Sequence, residues 1–145
     1  MKKIIASILT VLLLLSLLAT SALAASLEQD TAQRINLERA ARGIAALDIS
    51  TVLGGKARVK AQDMAENGYF SHTSPTYGSP FTMMRTLGVS YRSAAENIAM
   101  GYTEADTVVA AWMASPSHRA SLLSSRYSVL GVGYYNGYWA AWLIR

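Results

Sequence analysis

The most pronounced hydrophobic pattern is an almost unbroken apolar run over residues 4–18, which two lysines precede and small residues follow. A basic start, an apolar centre and a small-residue end with Ala22 and Ala24 are typical of a secretory signal peptide. We expect residues 1–24 to be this peptide, with cleavage after Ala24 and Ala25 as a second choice. The alternative is an uncleaved membrane anchor, because the apolar stretch up to Ala25 is just long enough to span a bilayer.

Beyond the leader, apolar residues at helical spacing and turn residues at the ends predict five helices. Ser50, Ser79, Thr103 and Ser115 stand where each of the last four would be capped, and Gly43 ends the first. The predicted helices run from Leu27 to Arg42, from Ser50 to Gly68, from Pro80 to Leu87, from Thr103 to Pro116, and from Pro116 to about Leu123.

Two glycines interrupt the second predicted helix, at Gly54 and Gly55. Each costs about 1 kcal/mol relative to alanine inside a helix. We therefore expect the first turns of this helix to fray or to start late.

Alternating apolar segments at the end of the chain predict two strands. "VLGVGYY" and "YWAAWLI" flank Asn136 and Gly137, whose tolerance of positive φ suits the tight turn of a hairpin. "AENIAM", residues 95–100, is too short and too apolar for its periodicity to distinguish a buried strand from a turn. Helices first and a hairpin last imply an α+β fold rather than a βαβ winding.

The composition argues against nucleic acids and anionic membranes as partners. The chain has 13 basic and 9 acidic residues, a net charge of +4, and loss of the two leader lysines would reduce this to +2. The remaining basic residues are scattered, so a nucleic-acid groove or an anionic-membrane patch has little support. About 120 residues remain, enough for one domain. There is no cysteine, which excludes disulfides, a thiol nucleophile and a lipid-modified cysteine anchor.

Local motifs for several common chemistries are absent. "GVGYYNG" lies within a predicted strand and not before a helix, which excludes a dinucleotide-binding loop. Neither H-E-x-x-H nor a cysteine–histidine spacing occurs, so any metal site must be assembled by the fold. No G-x-S-x-G elbow surrounds Ser115 or Ser117, which disfavours serine hydrolysis.

The chain has only two histidines, His72 in "YFSHTSP" and His118 in "SPSHRAS". The positive end of the helix that starts at Pro116 disfavours a charged His118, and a neutral ring can accept a proton or bind a metal. The alternative is a surface or hydrogen-bonded core imidazole. Glu96 lies among apolar residues, so its carboxyl group is either paired or has its ionisation suppressed. It is the acid that we would pair with the histidines.

Four segments, in this order, resemble the bacterial branch of the CAP superfamily, the secreted SCP-like proteins. The resemblance spans residues 28–145 and implies an α-β-α sandwich, in which a central antiparallel sheet lies between helical layers. The four segments are "ENGYFSHTSP", "AENIAMGY", "VVAAWMASPSHRASLL" and "GVGYYNGYWAAWLI".

The same resemblance implies a cleft that can hold a divalent metal such as zinc. His72 and His118 match the two family histidines, and Glu96 matches the first of two family glutamates. The second glutamate, three residues after the tryptophan in many members, is replaced here by Ser115. Two imidazoles and one carboxylate can still form a three-ligand zinc site. We expect the cleft to include Ser115, Asn97 and Ser74.

Three functions remain open on this basis. The first is a secreted, non-enzymatic module that binds a small apolar ligand, a lipid or an extracellular protein. The second is a metal-assisted hydrolase, a peptidase acting on extracellular or cell-wall material, in which Glu96 is the base. The third is a purely structural secreted domain.

Overall fold

The computed structural model describes the backbone of residues 2–145 and the side chains of residues 7–145. Helices and strands alternate irregularly along this part of the chain, which confirms the α+β class. The elements are α1 (Lys2–Ala40), β1 (Asp48–Ile49), α2 (Thr51–Glu66), α3 (Pro80–Thr86), β2 (Ala94–Met100), α4 (Ala105–Ala114), α5 (Pro116–Leu122), β3 (Val129–Tyr135) and β4 (Tyr138–Ile144).

The four strands form one sheet in the order β1-β3-β4-β2. β3 and β4 form the predicted hairpin, and Asn136 and Gly137 adopt φ values of 46° and 81° in its turn. β2 pairs antiparallel with β4, so the segment at 95–100 is a strand. The three long strands are antiparallel, as expected, whereas the two-residue β1 adds a parallel pair with β3 at one edge.

Both faces of the sheet are covered, which confirms the α-β-α layering. Alternate residues of β2, β3 and β4 point to opposite faces, and each set joins a different apolar cluster. The cluster shared with α1, α4 and α5 includes Ile35, Val108, Trp112, Leu122, Leu130, Trp139 and Leu143. The cluster shared with α2 and α3 includes Leu53, Ala57, Met64, Met83, Met84, Ile98 and Trp142.

Glycines let α2 lie directly on the backbone of β3. A Cβ built on Gly133 would be 2.0 Å from the Arg58 nitrogen, and one on Gly54 would be 2.9 Å from the Val132 carbonyl oxygen. The expectation that α2 would fray or start late is wrong. The helix starts at Thr51, because the Ser50 hydroxyl accepts a hydrogen bond from the Leu53 amide and Gly54 packs against β3.

Two predicted caps differ from the structure. α4 begins after Glu104, not after Thr103, so the Thr103 cap was wrong; the Thr107 hydroxyl instead donates to the Glu104 carbonyl. Ser115 does precede α5, but its hydroxyl makes no capping bond. The leader and the first predicted helix form one continuous helix, α1, which ends shortly before Gly43 with its φ of 67°.

The adjacent glycines of α2 allow a matched test of this packing. Alanine at either position gains up to about 1 kcal/mol of helix propensity, and a Cβ at Gly55 meets no atom within 4 Å. We expect Gly55→Ala to raise the free energy of unfolding by about 0.5–1 kcal/mol. The free energy of unfolding of Gly54→Ala should be about 1–3 kcal/mol lower than that of Gly55→Ala, because the added methyl group overpacks against Val132.

Urea unfolding followed by circular dichroism measures both free energies. Equal stabilisation by the two alanines would contradict the close approach of α2 to β3.

Candidate functional site

The buried carboxylate of Glu96 holds the His72 ring by a hydrogen bond. His72 lies in the loop between α2 and α3, and its Nδ1 is 2.8 Å from Glu96 Oε1. The other carboxylate oxygen, Oε2, accepts from the Trp142 indole at 2.7 Å. Glu96 and Trp142 are directly paired residues of β2 and β4, so their side chains share one face of the sheet. Of the two predicted alternatives for Glu96, the structure shows the paired one.

This geometry orients the His72 ring. A carboxylate accepts hydrogen bonds, so Nδ1–H of His72 is the donor and the ring turns Nε2 away from Glu96. The Glu96 side chain is 1% exposed, whereas the His72 side chain is 52% exposed. His72 therefore presents an oriented imidazole to solvent, and a carboxylate behind the ring is typical of histidines that bind metals.

Asn97 supports the second histidine from the opposite face of the sheet. It follows Glu96 in β2, so its side chain points towards the layer that contains α5. There its Nδ2 donates to the backbone carbonyl of His118 at 3.0 Å. β2 is an edge strand of the sheet. His72 and His118 approach this strand from opposite helical layers. We call His72, Glu96, Asn97 and His118 the histidine edge.

The two histidines of this edge also interact electrostatically. Burial lowers the pKa of His118 below its ordinary value, and the neighbouring His72 lowers that pKa further. The direction agrees with the sequence prediction of a neutral ring, although burial is the larger cause. The neutral form of His118 is therefore favoured at neutral pH.

The predicted cleft serines have different surroundings. Ser115 is half-buried at the start of α5, with its hydroxyl 3.4 Å from that of Ser117. Ser74 is 2% exposed. Its hydroxyl donates to Asp63 Oδ2 at 2.7 Å and accepts from two backbone amides of the following turn. Ser74 thus lies beneath the surface and holds the loop, so it does not line an open cleft.

The side chains at the histidine edge limit how a metal ion could be bound. Among residues 7–145, no group of three or more histidine or acidic side chains is placed to hold a metal ion. Each Glu96 oxygen already accepts one hydrogen bond, from His72 or from Trp142, and the Glu96 side chain is 1% exposed. The side chains that could contribute metal ligands at this edge are the imidazoles of His72 and His118, with Glu96 behind the His72 ring.

Lys60, a fully buried lysine of α2, lies under the His72 loop and is not among the site residues predicted from the sequence. Its ammonium donates to the His72 carbonyl at 2.9 Å. The available signal was its position, since Lys60 falls on the apolar stripe of α2 with Ala57, Ala61 and Met64.

Two cavities lie elsewhere in the molecule, and neither is lined by a histidine. One of about 100 Å³ lies between α1, α2 and β3, beside Glu28 and Arg58. One of about 700 Å³ lies between leader residues 17–24 and the hairpin residues Tyr134, Tyr135 and Asn136.

Comparison with known proteins identifies the family. The model of CAP, the cysteine-rich secretory protein family, matches residues 32–140, a range that includes all of the histidine edge. The chain belongs to the CAP family. It lacks the cysteines for which the family is described, so its two apolar clusters hold the CAP sandwich without covalent links.

Relatives come from bacteria. The chain is 46% identical over 107 residues to the uncharacterized protein YkwD of Bacillus subtilis, covering 74% of this chain and 42% of the relative. It is 39% identical over 98 residues to the uncharacterized membrane protein YlbC of the same organism, covering 68% and 28% respectively. The chain thus spans less than half the length of these curated relatives.

A solved structure agrees with this assignment. An extracellular protein containing an SCP domain from Bacillus anthracis matches with a TM-score of 0.80 and 29% identity, covering 83% of this chain and 40% of that chain. The shared fold is the CAP sandwich described above.

The electrostatics of the histidine edge predict the titration of His118. We expect its pKa to lie below the ordinary value of 6.5, and His72→Gln to raise it only in part, because burial remains. Below about pH 6.5 the unfolded chain binds more protons at this residue than the folded one, so stability falls as the pH falls.

Proton NMR of the two imidazoles measures this pKa directly, since the chain has no other histidine. A His118 pKa at or above the ordinary value would contradict the described burial, and one that His72→Gln lowers would contradict the described electrostatic effect of His72.

Proposed function

We propose that this CAP domain is an extracellular binding module whose binding surface is the histidine edge. One observation carries the proposal: Glu96 holds the half-exposed imidazole of His72 at the edge strand β2, where Asn97 also holds the backbone of His118. Side chains that are oriented before a ligand arrives lose little freedom when it binds. The edge therefore suits recognition of a ligand that donates hydrogen bonds or brings a metal.

The histidine edge also supports a divalent cation such as zinc. His72 and His118 would be its protein ligands, and Glu96 would strengthen His72 as a donor by accepting its Nδ1–H. When bound, the metal would supply a Lewis-acidic contact for a carboxylate or carbonyl oxygen of the ligand. Two protein ligands are fewer than the three or four of most zinc sites, so we propose moderate affinity.

The environment of Glu96 supports binding over hydrolysis. A metal-assisted hydrolase needs a base within reach of the reacting water. Glu96 is 1% exposed and uses both oxygens, and Ser115 occupies the position of the second family glutamate. With neither carboxylate available as a base, the proposed metal site is the feature that still supports the hydrolase alternative.

The shape of the surface favours a protein ligand over a lipid. His72 is exposed, and Phe70, two residues earlier, leaves 47% of its surface in solvent. The larger of the two cavities is partly walled by the leader, so leader removal would open it. An exposed face with an aromatic side chain is typical of protein recognition surfaces.

Zinc titration of untagged protein tests the site. We expect wild type to bind about one zinc ion, and His72→Ala and His118→Ala each to weaken binding by at least about tenfold, because two ligands leave no spare donor. Glu96→Gln should weaken it by about 10–100-fold through the His72 ring. Ser117→Ala, an exposed neighbour of His118, is the matched control.

Isothermal titration calorimetry gives the stoichiometry and affinity. No zinc binding by wild type, or unchanged binding in both histidine variants, would refute the metal site. Peptide hydrolysis that a chelator abolishes and zinc restores would favour the hydrolase instead.

The leader supports export of the domain. α1 contains a helix, Ser7–Ala40, that is long and apolar enough to cross a membrane, and its apolar window is fully exposed. The similar extracellular protein of Bacillus anthracis and the similar membrane protein of Bacillus subtilis illustrate the two possible fates. We propose cleavage after Ala24, because lysines precede the apolar run and small residues end it.

Intact-mass spectrometry of the protein released by a bacterial host tests this cleavage. We expect a mass that lacks residues 1–24, and accumulation of the uncleaved form in the membrane fraction when Ala22 and Ala24 are both replaced by lysine. Full-length wild-type protein in the membrane fraction would establish the anchor instead.

A further inference from the structure

Lys60 places a buried positive charge directly beneath the loop that carries His72. The residue is 0% exposed. Its Nζ donates to the Ser71 carbonyl at 2.8 Å, the His72 carbonyl at 2.9 Å and the Tyr69 hydroxyl at 3.2 Å. An ammonium group has three N–H donors, so each donor is matched by one acceptor of this loop.

The charge on Lys60 is balanced by buried acids. Burial lowers the pKa of Lys60, and the carboxylates of Glu96 and Asp63 oppose that effect. Lys60 therefore lies between two groups that position His72. Its ammonium donates to the backbone carbonyl of His72, and it interacts electrostatically with Glu96, the group that accepts Nδ1–H of the His72 ring.

Asp63 fastens the other parts of the same loop. It lies one turn after Lys60 on α2 and accepts hydrogen bonds from the Tyr69 and Ser74 hydroxyls and the Asn67 amide. Lys60 thus provides the donors and Asp63 the acceptors of a buried clamp. Of the two, only Lys60 bonds to His72 itself.

An apolar residue at the position of Lys60 would avoid the free-energy cost of burying a charged group. Its neighbours on the α2 stripe are Ala57, Ala61 and Met64, and burying an ammonium costs several kcal/mol unless its partners compensate. The hydrogen bonds from its ammonium to the His72 loop explain why a lysine stands at this position.

We propose that Lys60 is a positioning residue of the histidine edge: it fixes the His72 carbonyl at the height where the ring meets Glu96 and presents Nε2 outward. This inference rests on the proposed function, in which His72 is a binding group. It predicts that a side chain with no exposed surface controls the affinity of an exposed site.

The first test replaces the ammonium and keeps the chain length. Lys60→Met removes all three donors, and Lys56→Met is the matched control, because Lys56 lies one turn earlier on α2 and donates only to the Gly88 carbonyl. The protein is expressed with its full leader and purified in the form that the host releases. Metal-free NMR then follows the His72 ring and its Nδ1–H proton, and calorimetry follows zinc.

We expect Lys60→Met to shift the His72 ring signals, expose its Nδ1–H to exchange and weaken zinc binding by about tenfold or more. The His118 ring should keep its signals, because the bond from Asn97 to the His118 backbone carbonyl does not involve Lys60, and Lys56→Met should match wild type. Unchanged His72 signals in a folded Lys60→Met protein would overturn the proposal.

A chemical rescue separates the ammonium from the packing of the side chain. Because the chain has no cysteine, Lys60→Cys introduces a single thiol that can be alkylated in the unfolded chain before refolding. Aminoethylation rebuilds an ammonium at the length of lysine, and reaction with a propyl thiosulfonate adds an apolar chain of similar length. We expect only the aminoethylated protein to regain the wild-type His72 signals.

Recovery with both reagents, or with neither, would refute the positioning role even if Lys60→Met fails to fold. The two proposals fail separately. If wild type binds no zinc, the metal site is refuted, whereas the metal-free His72 signals still decide the role of Lys60.

Discussion

The alternation of side chains along β2 is the constraint on which the histidine edge depends. Glu96 and Asn97 are consecutive, so they point to opposite faces of the sheet, one towards the loop after α2 and the other towards α5. Because β2 is an edge strand, both contacts lie at the margin of the sandwich. A register slip of one residue would turn the Glu96 carboxylate into the α1, α4 and α5 cluster without partners.

The register of β2 is held by contacts in which the histidine side chains take no part. The β3–β4 hairpin fixes β4, and α2 is fixed against β3 by the close approach at Gly54 and Gly133. Two indoles then bond to β2: Trp142 donates to the Glu96 carboxylate, and Trp112 donates to the Ile98 carbonyl at 3.1 Å. These bonds satisfy buried acceptors that would otherwise cost about 1–3 kcal/mol each. The same contacts therefore stabilise the fold and orient the site.

Local signals accounted for much of this fold and for less of the site. The Ser50 and Ser79 caps and the Asn136–Gly137 turn depend on interactions within a few residues, so the sequence predicted them. β2 was ambiguous, because strand and turn differ there only through pairing with β4. The partners of Glu96, the burial of Ser74 and the role of Lys60 depend on which face of α2 is covered, and periodicity does not reveal what covers it.

The distribution of polar contacts supports the proposal that this edge is a binding surface. A catalytic base must exchange its proton with substrate or water during the reaction, so it needs a free acceptor within reach. In this chain each oxygen of the buried Glu96 carboxylate already accepts a hydrogen bond, one from His72 and one from Trp142. The exposed group of this set is the His72 imidazole, which Glu96 orients. Under the proposed function, a ring that is oriented before a ligand arrives loses little freedom on binding. A catalytic base must also be reached by the reacting water, and the Glu96 side chain is 1% exposed.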